Sequence, residues 1–314
     1  MNELQAVGYR GQELAVTTVI TYDTFERFIS YLDASPKTIE TYTKALRQFF
    51  NYIGVHGIRK PQREDVLAFR DDLKASGLKP TTVQNYITAT RLFFKWTAQE
   101  GLYPNIAEHV KGAKLDKNHK KDYLTSRQAK EVLAGVQTDS EEGLRNYAIL
   151  SLMVTGGLRT IEVSRADVED LRTVGESTVL YIQGKGREEK TEYIKISAPV
   201  EKAIRSYLKA RENVEEGQPL FTSTSNNSKG KRITTRTVSG VVKTALRNAG
   251  YDSARLTAHS LRHTAITLAL LAGREITEVQ QFARHANLNT TMIYNHALDQ
   301  AKNGCSDAIS SAIF

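Results

Sequence analysis

The chain has 314 residues, of which 40% are hydrophobic and 25% charged, and its formal net charge is +8. This length suits two domains of roughly 100–200 residues each, and the composition excludes a wholly disordered chain. The single cysteine, Cys305, excludes an internal disulfide and a zinc site built from several cysteines. Because no apolar run reaches the ~20 residues of a membrane span and no secretion signal is recognisable, we expect a soluble, cytoplasmic protein.

The positive charge is concentrated in two segments. Residues 111–121 contain one aspartate and five lysines, namely Lys111, Lys114, Lys117, Lys120 and Lys121. The stretch from Gly217 to Tyr251 has no acidic residue and contains Lys229, Lys231, Arg232, Arg236, Lys243 and Arg247. Such concentrations on a nearly balanced chain favour a polyanionic partner such as nucleic acid. The alternative is a flexible basic linker and a solvated loop.

The first third of the chain is predicted to be a bundle of four short helices. Ser35-Pro36 resembles a helix start, and apolar residues with helical spacing follow it as far as Ile53. The same pattern recurs 44 residues later from Pro80, and Arg63–Ala75 and Tyr22–Leu32 supply the other two helices. The aromatic stripe of these helices indicates a core.

The polar side of the bundle carries basic residues that we expect to face phosphates: Lys37, Lys44, Arg47, Lys79, Arg91 and Lys95. An ordinary solvent-exposed face is the alternative, because surface lysine and arginine are common.

The second half of the chain is predicted to be mainly helical with a small antiparallel sheet. Residues 143–155 form a strongly apolar helix that ends at Gly156-Gly157. Val179–Gln183 and Thr191–Ile196 flank Gly184-Lys185-Gly186 and read as a β-hairpin. The chain after Ala198 again has helical character. The predicted fold class is therefore mainly α with a small antiparallel sheet (α+β).

The residues that could carry chemistry are a set of cations, one glutamate and one tyrosine. They are Arg159, Glu162, Lys185, His259, Arg262, His285 and Tyr294. Taken singly, each has a structural alternative, such as a surface ion pair, a helix cap or a core position. A zinc site at His259 and His263 is disfavoured because no glutamate base lies between them.

Together these residues form four blocks in a particular order. Gly157-Leu158-Arg159 with Glu162 comes first, then Gly184-Lys185-Gly186, then His259-Ser260-Leu261-Arg262-His263-Thr264, then His285 nine residues before Tyr294. This arrangement resembles the tyrosine recombinase (phage integrase) family. The resemblance implies a SAM-like core-binding domain before the catalytic domain and an Xer-like two-domain architecture. The expected division is an N-terminal extension (1–18), the core-binding domain (19–110), a basic linker (111–121), the catalytic domain (122–300) and a C-terminal tail (301–314).

The resemblance also implies a reaction. Arg159 and Arg262 would bind the scissile phosphate of duplex DNA, and Tyr294 would attack it to form a covalent 3′-phosphotyrosine. His259 would take the phenolic proton, His285 would hold the phosphate, and Glu162 would orient Arg159 or a histidine. Lys185 would protonate the leaving oxygen, with Lys190 as the alternative acid. Neither a metal nor another cofactor is implied.

The resemblance has two departures. Arg284 stands where the family usually has glycine, and Gly156 stands where it more often has threonine. We expect Arg284 to add a DNA contact. The full set of expected DNA-binding residues is then Lys37, Lys44, Arg47, Lys79, Arg91, Lys95, Lys111, Lys114, Lys117, Lys120, Lys121, Lys229, Lys231, Arg232, Arg236 and Arg284.

The expected partners are two double-stranded recombination sites and further copies of the chain in a tetramer. Ile309, Ile313 and Phe314 form a small apolar set that would dock on a neighbouring subunit or on its own domain. The favoured role is integration and excision of a mobile element. The alternatives are Xer-type resolution of chromosome or plasmid dimers, DNA relaxation of the type IB topoisomerase kind, and catalytically silent DNA binding.

Overall fold

The structure is a computed structural model that describes residues 22–114, 122–184, 186–211, 214–301 and 304–314. The chain divides into two compact units, residues 1–117 and residues 118–314. The division falls inside the segment 111–121, whose composition predicts a linker. Lys117, Lys120, Lys121 and Lys185 lie outside the described residues. Within the described ranges, no helix has both the length and the apolar character needed to cross a membrane.

The described residues of the first unit, 22–114, form four helices, and their starts follow the sequence signals. The helices are α1 (Tyr22–Tyr31), α2 (Pro36–Val55), α3 (Arg63–Ala75) and α4 (Pro80–Gln99). The Ser35 hydroxyl accepts a hydrogen bond from the Thr38 amide at 3.3 Å, and proline occupies the first turn of both α2 and α4. Proline fits there because its missing N–H would have no partner within the helix.

The internal repeat of α2 and α4 supplies the core of this unit. Phe49 and Phe50 of α2 and Phe93 and Phe94 of α4 are buried and contact one another. The rings of Phe49 and Phe94 pack edge to face at 5.6 Å, and those of Phe50 and Phe93 at 5.4 Å. Such pairs stabilise a core beyond the area they bury. The repeat therefore supplies the aromatic core. The basic residues Lys44, Arg91 and Lys95 of the same two helices are exposed.

The second unit is built from nine helices and one sheet among its described residues. The helices are α5 (Ser126–Ala134), α6 (Glu141–Gly156), α7 (Thr160–Arg165), α8 (Ala198–Ala210), α9 (Thr235–Asn248), α10 (Ala258–Leu271), α11 (Ile276–Ala283), α12 (Leu288–Ala301) and α13 (Cys305–Ile313). The main core of this unit runs along α6, which is buried on most sides against α8 and α10.

The sheet has three antiparallel strands in the order β1-β2-β3. They are β1 (Leu171–Val174), β2 (Ser177–Ile182) and β3 (Glu192–Lys195). The register pairs Leu180 with both Leu171 and Ile194. The hairpin of β2 and β3 was predicted, but β1 was not. This strand is short and mostly exposed, so it has no apolar alternation to reveal it.

A second, smaller cluster joins the last helices of this unit. Ile266 of α10, Val279 and Ala283 of α11, and Tyr294 of α12 are buried together. Because α10 is buried along most of its length, its polar residues Arg262 and His263 are also inside the protein. The phenol of Tyr294 is therefore brought next to side chains from α10.

Candidate active site

The turn after α6 positions the first arginine. Gly157 has a left-handed backbone (φ 61°), which glycine adopts at little cost at the end of a helix. A Cβ at Gly156 would lie 2.7 Å from side-chain atoms of Ile194 and Leu158, so the neighbouring side chains, as they are placed, leave room only for glycine here. The turn leads directly into α7, and Arg159 is the residue that caps it.

Glu162 is fully buried and binds Arg159 twice. One carboxylate oxygen accepts the Arg159 amide at 2.8 Å, and the other accepts its Nη1 at 2.8 Å. Burial by itself would raise the pKa of the Glu162 carboxyl, but the charge of Arg284 and the hydrogen bonds from Arg159 outweigh it and lower that pKa. Glu162 is therefore an anion that holds the backbone amide and the guanidinium of Arg159.

Arg262 is the most deeply buried cation of the group, with 1% of its surface exposed. Its Nη1 donates to the Gly157 carbonyl at 2.6 Å, and its Nη2 donates to the Ala283 carbonyl. Burial, followed by repulsion from Arg159 and Arg284, lowers its pKa to about 9. The guanidinium therefore stays charged at neutral pH. The shared turn at Gly157 brings Arg262 next to Arg159, although 103 positions separate them (262 − 159).

Tyr294 lies between two histidines. The ring centroid of His263 is 5.1 Å from that of Tyr294, and the ring of His285 stacks on it at 6.3 Å. The exposed ring of His259 contacts His263 edge to face at 4.6 Å. His285 Nδ1 lies 2.9 Å from the hydroxyl of the buried Thr291, which fixes the plane of its imidazole. Two aromatic neighbours and two nearby arginines thus surround the phenol.

Burial dominates the protonation of these rings. It raises the pKa of Tyr294 to about 12, although the charges of Arg262 and Arg159 act to lower it. The pKa of His285 falls to about 4, first because of burial and then because Arg262, Arg159 and Arg284 repel a further positive charge. At neutral pH the phenol is therefore protonated and His285 is neutral.

The described residues thus bring together five of the six predicted catalytic groups: Arg159, His259, Arg262, His285 and Tyr294. The sixth, Lys185, lies outside the described residues. The other lysine of the hairpin, Lys190, forms ion pairs with Asp167 at 2.6 Å and Asp170 at 2.5 Å. Burial lowers the pKa of Lys190, but hydrogen bonds to these two carboxylates outweigh it and leave the pKa raised. Lys190 is therefore a structural cation in this conformation.

A cleft of about 540 Å³ opens beside the site. It lies between the start of α7, the start of α10 and the middle of α9, and Arg159 and His259 both line it. The α9 residue Lys243 also lines it and donates to the Ser253 carbonyl at 2.9 Å. The cleft gives solvent a route to both of these catalytic candidates.

Most expected DNA-binding residues are at the surface. The exposed set in the first unit and its end is Lys37, Lys44, Lys79, Arg91, Lys95, Lys111 and Lys114, and Arg47 is half-buried. Lys37 forms an ion pair with Glu40 at 2.7 Å. In the second unit the exposed residues are Lys229, Lys231, Arg232 and Arg236.

Two of the expected DNA-binding residues are bound by other groups of the protein: Arg232, which stays exposed, and Arg284, which is buried. Arg232 binds Asp167 at 2.5 Å and donates to the carbonyls of Ser164 and Ala166. Arg284 has only 6% of its side chain exposed and donates to Glu162 at 2.9 Å. The expectation of a surface DNA contact is wrong for Arg284 in this conformation, because an acceptor that the sequence pattern did not reveal binds the guanidinium internally.

Sequence reasoning missed four residues: His263, Thr291, Asp167 and Asp170. His263 was weighed only as a zinc ligand, yet it packs against Tyr294. Thr291 stands three residues before Tyr294, one helical turn away, and that spacing could have revealed it. The aspartates that bind Lys190 gave no local signal, because they lie 20 and 23 residues from it.

Two family models match the chain. The phage integrase family matches residues 122–301, and the N-terminal SAM-like domain of phage integrases matches residues 23–101. The chain therefore belongs to the phage integrase family, whose members are the tyrosine recombinases, and it is a site-specific DNA recombinase.

Sequence relatives and solved structures agree with this assignment. The tyrosine recombinase XerA of Pyrococcus horikoshii is 32% identical over 88% of this chain and 90% of the relative. XerC of Herpetosiphon aurantiacus is 30% identical over 86% and 89%. The fold is similar to that of a crystallised XerH recombinase bound to a palindromic difH substrate, with a TM-score of 0.73 and 21% identity over 90% of this chain and 84% of that one. The Tn1549 transposon integrase has the same fold, with a TM-score of 0.68 and 18% identity over 86% and 92%.

Proposed function

We propose that the chain cuts and rejoins duplex DNA through a covalent bond to Tyr294. The phenolic oxygen attacks the scissile phosphorus, the bond to the 5′-oxygen breaks, and the strand is left as a 3′-phosphotyrosine with a free 5′-hydroxyl. The observation that carries this proposal is the position of Tyr294. Its ring packs against His263 and stacks on His285, and it lies close enough to Arg262 and Arg159 for their charges to act on its pKa. The phosphate remains a diester, because its bond to the 5′-oxygen is replaced by a bond to Tyr294. A 5′-hydroxyl can therefore reverse the step without ATP.

Arg159 and Arg262 serve as the phosphate-binding cations. A phosphodiester gains negative charge on its non-bridging oxygens as a fifth ligand approaches, and fixed guanidiniums stabilise that charge. Glu162 and the carbonyls of Gly157 and Ala283 hold the two side chains in place. No side-chain reorganisation is then needed when the transition state forms.

The histidines have different roles in this proposal. His285 is neutral at neutral pH, and its Nδ1 contacts Thr291, so its other nitrogen is the one that reaches the phosphate. His259 is exposed on the cleft and takes the phenolic proton. Since Tyr294 is buried and protonated in the DNA-free chain, the phenol has to move toward the phosphate when DNA binds.

Lys185 is proposed as the acid that protonates the leaving 5′-oxygen. Its rival Lys190 is held by Asp167 and Asp170 at the base of the hairpin. An ammonium with two carboxylate partners has a raised pKa and a poor geometry for proton donation to DNA. Lys190 instead anchors the hairpin that carries Lys185.

The DNA interface is proposed to use both units. The exposed basic side chains of α2 and α4 in the first unit bind phosphates on the core-binding side. In the second unit, Lys229, Lys231 and Arg236 do the same, and the segment 111–121 links the units along the duplex. Contacts of this kind set affinity and orientation and make binding sensitive to salt.

Self-association is proposed to use the C-terminal helix. Every described residue of α13 is exposed, and Ile309, Ile313 and Phe314 leave an apolar side without a cover in this chain. A groove of about 440 Å³ between α6, α10 and α11 offers a complementary apolar surface, lined by Val154, Ala265, Leu268, Ala269, Val279 and Phe282. The tail of a second copy is the proposed occupant, which links neighbouring subunits of a tetramer on DNA.

The biological role is proposed to be integration and excision of a mobile element, carried out in the cytoplasm. Xer-type resolution of chromosome or plasmid dimers is the second candidate, and the relatives named XerA and XerC favour it. Footprinting on DNA flanking the gene separates the two. Paired sites at the ends of an element support the first role, whereas a single site near a replication terminus or on a plasmid supports the second.

The decisive experiment uses a nicked duplex of the footprinted site, which releases a short 5′-hydroxyl fragment after cleavage and so traps the covalent adduct. The wild-type chain is expected to form the adduct and Tyr294→Phe to form none while binding the duplex normally. An adduct with Tyr294→Phe would overturn the proposed nucleophile. Relaxation of supercoiled DNA without recombinant product from two sites would support a topoisomerase-like activity instead.

A further inference from the structure

Arg284 has a backbone conformation that arginine rarely adopts. It ends α11 with φ 53°, in the left-handed region where non-glycine residues are strained. Glycine, which the family usually has at this position, would meet the same turn without that strain. Something in the side chain has to offset the strain.

The guanidinium of Arg284 is inside the protein and bridges three elements. It donates to Glu162 at 2.9 Å, to the Phe282 carbonyl at 2.8 Å and to the Gly157 carbonyl at 3.3 Å. Gly157 is also the acceptor for Arg262. Among the described residues, no acceptor lies within hydrogen-bonding distance of the buried Arg284 Nε. The side chain thus links α7, the Gly157 turn and α11.

Arg284 shares a hydrogen-bond acceptor with each of the two phosphate-binding arginines. Glu162 uses one oxygen for the Arg159 guanidinium and the other for Arg284 and the Arg159 amide. Without Arg284, the buried carboxylate would have Arg159 as its one cationic partner in direct contact, and that guanidinium would be drawn inward. The shared Gly157 carbonyl connects Arg284 to Arg262 in the same way.

We propose that Arg284 is a positioning residue for strand cleavage, which holds Glu162 and the Gly157 turn so that Arg159 and Arg262 present their guanidiniums to the scissile phosphate. The inference rests on the proposed function. It differs from a DNA contact, because in this role the Arg284 guanidinium acts through Glu162 and the Gly157 carbonyl and does not itself touch the phosphate. It also differs from a role in the turn alone, since glycine would adopt this left-handed conformation without strain.

The test measures adduct formation and DNA affinity separately on the nicked duplex. Arg284→Gly is expected to lower the single-turnover cleavage rate by about 100-fold, the effect of a roughly 1 Å misplacement of a reacting group. Its dissociation constant for DNA should stay within about threefold of wild type, equivalent to less than 1 kcal/mol. Arg284→Lys should recover part of the rate, because an ammonium can still neutralise Glu162. Arg205→Lys, at an exposed arginine of α8, is the matched control and should cleave normally.

The outcomes separate this inference from the proposed function. If the wild-type chain forms no adduct, the proposed function fails. If the wild-type chain cleaves and Arg284→Gly cleaves equally fast, Arg284 has no positioning role. A weaker DNA affinity with an unchanged cleavage rate would make Arg284 a DNA contact and overturn the inference. Should Arg284→Gly not fold, Arg284→Lys decides: a reduced rate at wild-type affinity supports positioning, and a wild-type rate refutes it.

Discussion

The buried carboxylate of Glu162 offers the sharpest prediction about stability. Its side chain is fully buried and accepts three hydrogen bonds at 2.8–2.9 Å from Arg159 and Arg284. Glu162→Gln preserves the shape of the side chain but removes its charge, which leaves Arg159 and the buried Arg284 without the carboxylate that they share. Removing one partner of a buried ion pair costs about 3–5 kcal/mol. We expect the free energy of unfolding to fall by about that amount.

The expected change in melting temperature follows from the size of the second unit. For 150–250 residues, 1 kcal/mol corresponds to about 2–4 °C, so the midpoint should fall by roughly 6–20 °C. The assay is urea and thermal unfolding followed by far-ultraviolet circular dichroism. The fluorescence of Trp96, the single tryptophan, reports separately on the first unit, which the substitution leaves intact.

The control is Glu278→Gln, which removes an exposed carboxylate 3.8 Å from Arg274. Exposed pairs contribute at most about 1 kcal/mol. Equal, small effects of the two substitutions would refute the reasoning. The pH dependence is a second check. The pKa of Glu162 is lowered on folding, so its stabilisation is complete above the ordinary carboxyl pKa of about 4.3 and is lost as the pH falls below it. The difference between wild type and Glu162→Gln should shrink in that acidic range.

Three further predictions concern the site and the tail. Folding lowers the pKa of His285 to about 4, so the unfolded chain takes up the extra proton at a higher pH than the folded chain does. The free energy of unfolding of the wild type should therefore fall as the pH falls from about 6.5 toward 4, and that of His285→Gln should fall less over the same range. An imidazole proton resonance of His285 that titrates near 6.5 would contradict this. Lys190→Met should slow cleavage of ordinary DNA but recover on a duplex with sulfur in place of the leaving 5′-oxygen, because a thiolate leaves without a proton; no recovery would exclude a role through the general acid. Phe314→Glu should leave adduct formation on a single site unchanged while lowering two-site recombination about tenfold, a penalty of about 1.4 kcal/mol at the subunit contact; unchanged recombination would exclude the tail from that contact.

Local signals in the sequence were sufficient for the helices of the first unit and for the family. Helical spacing of apolar residues, Ser35-Pro36 and the repeat at Pro80 predicted α2 and α4, and the observed bounds follow them. The order of the four motif blocks identified the family. These signals work because capping, periodicity and motif spacing each depend on residues a few positions apart.

The internal partners of the cations depended on tertiary structure alone. The sequence makes Arg284 look like a surface residue for DNA and Lys190 look like a second candidate acid, and it gives no sign that the exposed Arg232 is paired with Asp167. Their partners are Glu162, Asp167 and Asp170, which lie 20 to 122 residues away along the chain. Whether a cation faces DNA or a buried carboxylate is decided by which groups the folded chain brings within hydrogen-bonding distance and withdraws from water. Composition and periodicity do not predict which distant groups come together, because burial and pairing arise only when elements far apart in the chain pack.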